Sequence, residues 1–224
     1  MEFINGMWGW LDINNVMFTV WDYPMSYVEF FGTVLNIWCV YLASRAKLLN
    51  WPVGIAASLL YVVLFYQIRL YSDMGEQIYF ILIGFYGWWM WRRLGGRGAQ
   101  APRIGRNGNI DNLVYMVAIA AGTVLLMRFM QNIHLYLPAL FSEPASYPFW
   151  DAFTTVMSFA ATILMARGKV ECWYLWILVD VIGVWLYFTK GVRFIALEYV
   201  IFLALATRGL FDWRRKLRPN KPNL

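Results

Sequence analysis

The sequence predicts an all-α integral membrane protein with seven transmembrane helices, arranged 3+1+3 as two parallel triple-helix repeats joined by a linker helix. Three observations predict this fold: an apolar composition, an internal repeat, and basic residues confined to alternate loops. Of the 224 residues, 61% are hydrophobic and only 14% are charged. Ordinary soluble domains carry about 25% charged residues. A soluble fold of this chain would therefore lack the polar side chains to cover its surface.

Seven apolar stretches approach the length of about 20 residues that crosses a bilayer. Tryptophan and tyrosine gather at their ends, as in the aromatic belts of membrane helices. The stretches are 24–44, 51–68, 77–91, 112–130, 149–166, 173–189 and 194–211. We expect no secretory signal before them, because the first 44 residues contain no Lys or Arg to form its positive region.

An internal repeat relates the two halves of the chain. A shift of 122 positions lays 29–93 on 151–215 without a gap, and 16 of the 65 aligned positions are identical. The matches keep charged and punctuating residues in register, namely Arg45 with Arg167, Lys47 with Lys169, Trp51 with Trp173, Glu76 with Glu198, Gly87 with Gly209, and the run 91–93 with 213–215. Such a repeat in a membrane protein is typical of a transporter whose site lies between the halves.

Basic residues set the expected orientation. Of the 19 Lys and Arg residues, 14 lie in the segments 45–47, 92–106, 167–169 and 214–221. The positive-inside rule places these segments in the cytoplasm, with the N-terminus outside and the C-terminus inside. The net charge of +6 then reflects the orientation of the chain in the membrane, and we expect no nucleic-acid partner.

The same pattern predicts the organisation of the chain. Each repeat holds three spans and ends at a basic boundary, so two parallel copies need an odd number of spans between them; the stretch 112–130 supplies one. The predicted parts are an external N-terminal segment (1–23), a first triple-helix repeat (24–93), a cytoplasmic link with the linker helix and an external return (94–148), a second triple-helix repeat (149–215) and a basic cytoplasmic tail (216–224). Within 1–23 we expect a short interfacial helix, because Trp8, Trp10, Phe18 and Trp21 alternate with polar groups.

Short sequence motifs add a family resemblance. The first half contains NWPVGI at 50–55, LFY at 64–66, LYSDMG at 70–75 and YGWWMW at 86–91, and the second half has the weaker pairs Trp173/Trp176 and Gly209/Trp213. With these motifs the chain resembles the PnuC family of bacterial vitamin transporters over about 28–215. Its 3+1+3 plan resembles that of the SWEET transporters.

The resemblance implies a function. It implies facilitated diffusion of nicotinamide riboside, a vitamin B3 precursor of NAD, trapped by phosphorylation in the cytosol. It also implies a homotrimer among the lipids of a bacterial inner membrane. The alternatives are a carrier of another vitamin, nucleoside or sugar, or a structural or signalling membrane protein whose repeat is only a folding device. A carrier predicts polar residues that converge at the midplane, whereas the structural alternative predicts that they pair with each other and leave no cavity.

Asp180 is the sharpest candidate for binding such a cargo. It lies near the centre of the sixth span, where a carboxylate must find a partner or be protonated. It can accept ribose hydroxyls or balance the pyridinium charge, or instead pair structurally with Arg128 or Arg208. Trp176, Asp180 and Gly183 follow at i, i+4 and i+7, so they share one face of the helix.

Aromatic and polar residues complete the predicted site. A flat cation gains about 0.5–2 kcal/mol on a tryptophan face, and its amide and hydroxyls need hydrogen-bonding partners in the membrane. The predicted substrate-binding residues are Asn36, Trp51, Ser58, Tyr61, Gln77, Tyr86, Trp88, Trp176, Asp180 and Trp185. Asn36 has helix–helix hydrogen bonding as its alternative role, and Trp88 has anchoring in the interfacial belt. Glu76 is assigned to the outer water boundary.

Other chemistries find little support in the residue inventory. The single histidine is His134, and the two cysteines, Cys39 and Cys172, stand apart, so no zinc site or Cys–His pair is expected. No GxxxxGK[ST] phosphate loop occurs, which argues against an ATP-driven pump. We expect no cofactor and no enzymatic activity.

The orientation is testable by cysteine labelling. A cysteine placed at position 5 is expected to react with a membrane-impermeant reagent from outside, and one at position 100 only from inside, with the unmodified chain as the control for Cys39 and Cys172. Labelling of both positions from the same side would remove the odd-numbered linker span.

Overall fold

Helices dominate the structure, a computed structural model that describes residues 9–20, 23–68, 71–94, 103–137, 147–189 and 193–217. The helices of these residues that have 18 or more residues are α1 (Tyr27–Ser44), α2 (Asn50–Gln67), α3 (Tyr71–Leu94), α4 (Asn109–Tyr136), α5 (Pro148–Ala166), α6 (Cys172–Thr189) and α7 (Arg193–Leu217). Each one coincides with a predicted span, which confirms an all-helical framework. Helix α3 begins six residues before the predicted start at residue 77.

Length and composition qualify five helices to cross a membrane, namely α1, α2, α4, α5 and α6. Helices α3 and α7 have 24 and 25 residues, which is also long enough. Their ends carry charged residues, including Arg92 and Arg93 on α3 and Arg214 and Arg215 on α7, and these lower the hydropathy. The crossing of the membrane by these two helices stays a prediction.

The N-terminal segment forms a hairpin where a short interfacial helix was expected. In its described part, Gly9–Leu11 makes one 3-10 turn, and the strands β1 (Val16–Val20) and β2 (Tyr23–Ser26) pair antiparallel. The run VMFTV of β1 is rich in β-branched and aromatic residues, which favour a strand. Trp10 and Phe18 are described and exposed, while Trp8 and Trp21 lie outside the described residues.

The hairpin leads directly into α1. Ser26 is the N-cap, and its hydroxyl accepts a hydrogen bond from the Glu29 amide at 3.3 Å. The Tyr23 hydroxyl donates to the Glu29 carboxylate at 2.6 Å. Burial, together with the adjacent carboxylate, raises the pKa of Tyr23 well above its usual range.

Six helices close a ring. Along the chain, α1 packs on α2 and α2 on α3, and in the same way α5 packs on α6 and α6 on α7. The halves join where α1 packs on α7 and where α3 packs on α5. These two junctions are equivalent under the shift of 122 residues, which carries α1 onto α5 and α3 onto α7. Helix α4 packs against α5, with most of its surface exposed.

Four tryptophans occupy one end of the ring, and we call Trp51, Trp91, Trp173 and Trp213 the tryptophan cluster. Trp51 meets Trp91 edge to face at 5.3 Å, and Trp173 meets Trp213 in the same way at 5.5 Å. Trp91 and Trp213 meet each other at 6.0 Å between the halves. All four side chains are at most 5% exposed. We call this end, where α1 and α5 finish beside Arg45 and Arg167, the basic end.

Two indole N–H groups of the cluster bond across the halves. Trp91 Nε1 donates to the Met165 carbonyl oxygen at 3.0 Å, and Trp213 Nε1 donates to the Ala43 carbonyl oxygen at 3.1 Å. Residues 43 and 165 are themselves related by the repeat. The third helix of each half therefore donates the same hydrogen bond to the last turn of the first helix in the other half.

Two glycines make room for the tryptophan rings. A Cβ atom at Gly87 of α3 would overlap the Trp51 ring, and one at Gly209 of α7 would lie 2.6 Å from the Trp173 ring. Real Cβ atoms essentially never approach other heavy atoms this closely, so a side chain at either position would push the helices apart.

The turns that follow α1 and α5 also match. Ala46 and Gly168, which the repeat relates, both adopt positive φ, at 54° and 66°. The next amides close the same hydrogen bond, from Lys47 to the Leu42 carbonyl and from Lys169 to the Leu164 carbonyl, both at 2.9 Å. The repeat seen in the sequence thus persists in the backbone geometry.

The glycine contacts predict a stability difference. Gly87→Ala and Gly209→Ala should each destabilise the protein by about 1–3 kcal/mol, because the added methyl group overpacks against a tryptophan ring. Gly75→Ala, also on α3 but with open space around it, should be neutral or stabilising by about 0.5–1 kcal/mol. Apparent Tm in detergent measures the series, and equal melting of all three variants would contradict this packing.

Candidate functional site

Two stacked tyrosines lie where α6 packs on α7. The rings of Tyr187 and Tyr199 are 5.3 Å apart and nearly parallel, with an interplanar angle of 19°. Tyr199 fits there because residue 183 of α6 is glycine, and a Cβ atom at Gly183 would overlap its ring. The pair places two parallel aromatic rings of the second half side by side.

Acidic residues of several helices lie within electrostatic range of these tyrosines. Tyr199 interacts in this way with Glu76, Asp180 and Glu198, and Tyr187 with Asp73, Glu76, Asp151 and Glu198. The three acids around Tyr199 come from α3, α6 and α7, so both halves contribute. We call the five residues Glu76, Asp180, Tyr187, Glu198 and Tyr199 the central cluster.

Asp180 is buried without a partner. Its side chain is 3% exposed, and no side chain or backbone group of the described residues forms a hydrogen bond or ion pair with it. Neither arginine considered as a structural partner reaches it. Arg208 lies 3.9 Å from Asp212 and over the ring of Tyr41, and Arg128 is exposed on α4. Burying an unpaired charged carboxylate is costly, so this residue is either protonated or paired with a group that the described chain does not supply.

Glu198, in contrast, is held by the first half. The Tyr61 hydroxyl donates to its carboxylate at 3.4 Å, and the Asn36 side chain also hydrogen-bonds it. The Tyr61 hydroxyl lies 3.0 Å from the Thr33 hydroxyl as well. This network joins α1 and α2 to α7. It places two of the predicted residues, Asn36 and Tyr61, at the border of the central cluster.

The remaining predicted residues of the first half are spread along α2 and α3. Ser58 is buried on α2, one turn before the buried Tyr61, while Gln77 and Tyr86 are half-buried on α3. Trp51 belongs to the tryptophan cluster at the basic end.

Trp88 lies on an open groove at the basic end of α3. The groove has a volume of about 340 Å³ and is lined by Phe85, Trp88, Trp89, Arg92 and Arg93. The Arg93 guanidinium covers the Trp89 ring at 4.6 Å. An aromatic and basic groove fits the interfacial alternative for Trp88.

The two tryptophans predicted on α6 have different surroundings. Trp185 is 48% exposed and meets the edge of Trp150 at 5.5 Å, on the outward face of α6 with the exposed Leu178 and Val181. Trp176 is half-buried and packs against the core around the tryptophan cluster. Their separation of nine residues places them on opposite faces of a helix.

Three buried indole N–H donors have no acceptor among the described residues. They belong to Trp51, Trp173 and Trp176. Leaving such a donor unpaired costs about 1–3 kcal/mol, and an unsatisfied group in a native structure needs an explanation, such as a ligand or water. Trp51 and Trp173 are repeat mates. Of the four N–H groups in the tryptophan cluster, two therefore join the halves and two are available.

Comparison with known proteins identifies the family. The model of the nicotinamide mononucleotide transporter family matches residues 26–215. The chain belongs to this family. It is 29% identical over 214 residues to the nicotinamide riboside transporter PnuC of Escherichia coli (strain K12), covering 88% of each chain. It is 32% identical over 212 residues to the riboflavin/roseoflavin transporter RibM of Streptomyces davaonensis, covering 92% of this chain and 95% of that protein.

A solved structure shares the fold. The crystal structure of the vitamin B3 transporter PnuC superposes with a TM-score of 0.66 at 23% identity, covering 87% of this chain and 83% of that chain. The resemblance to the PnuC family inferred from the sequence motifs is thus confirmed. As a member of the nicotinamide mononucleotide transporter family, the chain is a multi-pass membrane transporter and not an enzyme.

Four residues of the central cluster were not among the predicted substrate-binding residues of this transporter, namely Glu76, Tyr187, Glu198 and Tyr199. Thr33, which contacts Tyr61, was not predicted either. A signal existed, because Glu76 and Glu198 match across the repeat. Glu76 was assigned to the water boundary because α3 was predicted to begin at residue 77, whereas it begins at Tyr71 and carries Glu76 in its second turn. Among the described residues no group of three His, Cys, Asp or Glu side chains could hold a metal ion.

Proposed function

We propose that this chain carries nicotinamide riboside across the bacterial inner membrane by facilitated diffusion, with the cargo held between the two repeats at mid-membrane. The observation that carries the proposal is the buried carboxylate of Asp180, which has no partner in the described chain and lies beside the stacked Tyr187 and Tyr199. The riboside has a flat pyridinium cation, a carboxamide and ribose hydroxyls. A carboxylate balances the cation, and aromatic faces stack on its ring.

The proposal includes a 3+1+3 architecture in which the two triple-helix repeats are parallel. Its support is the set of repeat-related contacts, from the junctions of α1 with α7 and of α3 with α5 to the two indole hydrogen bonds. Helix α4 packs on α5 outside the ring and supplies the odd-numbered connection. A site between two similar halves suits alternating access, in which one half rocks against the other.

The tryptophan cluster serves as the closure of the pathway at the basic end. For a cargo to leave there, the contact between Trp91 and Trp213 must open, together with the hydrogen bonds that join the halves. The free N–H groups of Trp51 and Trp173 then offer donors to the carboxamide or hydroxyl oxygens of the passing riboside.

The cellular setting follows from the family resemblance and the charge pattern. The N-terminus lies outside and the basic C-terminal tail lies in the cytoplasm, where phosphorylation traps the riboside. The protein works as a homotrimer surrounded by membrane lipids. The exposed apolar side chains of α4, such as Leu113, Val117 and Leu125, face either lipid or a neighbouring subunit.

Riboflavin is a second candidate cargo, because RibM is the relative with 32% identity. A flavin is a larger, uncharged ring system that stacks on aromatic residues but does not require a carboxylate. The buried Asp180 therefore favours the riboside.

Binding to the purified protein tests the proposal. Asp180→Asn keeps the shape of the side chain but removes its charge, so we expect riboside affinity to fall about tenfold or more, or about 1.4 kcal/mol, with the folded yield retained. Calorimetry in detergent measures the affinity for riboside and riboflavin. Asp212→Asn, at the basic end near Arg45, is the matched control and should bind normally. Loss of folded protein with normal riboside binding by the remainder would make Asp180 a structural residue. Tighter binding of riboflavin than of the riboside would identify riboflavin as the cargo.

A further inference from the structure

We infer that Glu198 and its repeat mate Glu76 select the cargo by charge, admitting a cationic nucleoside and discriminating against a neutral one of the same shape. The inference rests on the proposed function, because it takes the riboside site between the repeats as given. It adds two residues to that site and a reason for its specificity.

The two glutamates approach the same place from opposite halves. Glu76 lies on α3 and Glu198 on α7, at positions that the shift of 122 residues relates. Both interact electrostatically with Tyr187 and with Tyr199. The stacked tyrosine rings therefore have a carboxylate from each half within range, as a flat cation lying against them would require.

The two carboxylates differ in how they are held. Glu198 accepts hydrogen bonds from Tyr61 and Asn36. The repeat places Gly183 and Ser158 at the corresponding positions around Glu76, and the glycine has no hydroxyl to donate. Within the described residues no hydrogen bond reaches the Glu76 carboxylate, so Glu198 is fixed in position while Glu76 is free to meet a ligand.

The unpaired Asp180 also points to a ligand at this place. Asp180 is 97% buried, its carboxylate lies near Tyr199, and it has no hydrogen bond or ion pair with any described residue. In the described part of the chain no Lys or Arg pairs with Asp180, Glu76 or Glu198. A buried, charged Asp180 beside two half-buried glutamates, with no basic partner, is costly unless it is protonated or a cation enters. A permanently charged pyridinium nucleoside supplies it, whereas a neutral flavin or dihydropyridine does not.

The test compares two cargoes of similar size that differ chiefly in charge. Liposomes containing the purified protein are given radiolabelled nicotinamide riboside or its 1,4-dihydro form, which keeps the ribose, the carboxamide and the ring size but has no positive charge. Initial rates yield kcat/KM for each compound with wild type, Glu198→Gln, Glu76→Gln and the control Glu171→Gln. Glu171 lies in the turn before α6, two and a half helical turns before Asp180, where its carboxylate accepts a hydrogen bond from the Asn107 backbone amide.

We expect wild type to prefer the cation by at least about tenfold, as for one charge pair in a partly screened site. Each of the two Gln variants should lower this ratio about tenfold by slowing the cation, with the neutral form changed less than about twofold. The ratio does not depend on the amount of folded protein, so a poor yield does not obscure it. Glu171→Gln should keep the wild-type ratio.

An unchanged ratio in both Gln variants, or an equal loss for both cargoes, would overturn the inference while leaving riboside transport intact. Transport of neither compound by wild type would overturn the proposed function and the inference with it.

Discussion

Two indole hydrogen bonds tie the halves of this transporter together, from Trp91 to the Met165 carbonyl and from Trp213 to the Ala43 carbonyl. Each is worth only about 0.5–1.5 kcal/mol. They are effective because they act as a matched pair at the ends of α5 and α1, where the two repeats meet. Gly87 and Gly209 are glycines for the same reason, since the partner tryptophans Trp51 and Trp173 need the space. Weak, symmetric contacts thereby join the two halves at one end of the ring.

The middle of the ring departs from this symmetry. Where the first half places Tyr61 against Gly32, the second half has Gly183 and fills the space with Tyr199. The first repeat thus carries this aromatic ring on its second helix, as Tyr61, whereas the second repeat carries one on its third helix, as Tyr199. Asp180 replaces Ser58 in the same comparison. A symmetric frame with an asymmetric centre suits a cargo that has a charged ring at one end and a sugar at the other.

Much of the fold was predictable because a bilayer imposes strong rules on a sequence. Apolar runs predict all seven described helices, and the repeat predicts which tryptophans and glycines share a role. The hairpin of β1 and β2 was missed, since a run of five residues such as VMFTV carries a weaker signal than a span. Helix periodicity could have shown that Trp185 and Trp176 lie on opposite faces of α6, because nine residues make two and a half turns. The hydrogen bond of Tyr61 to Glu198, 137 residues away, required the three-dimensional structure.

The proposed link between this fold and its cargo is the charge of the central cluster. Uptake of radiolabelled nicotinamide riboside into liposomes that contain only this protein tests that link most directly. With the membrane potential clamped at zero, facilitated diffusion predicts saturable uptake that stops when the inside concentration equals the outside one, whether or not a proton or sodium gradient is imposed. Absence of protein-dependent uptake, or accumulation above the outside concentration that requires an ion gradient even at zero membrane potential, would contradict facilitated diffusion.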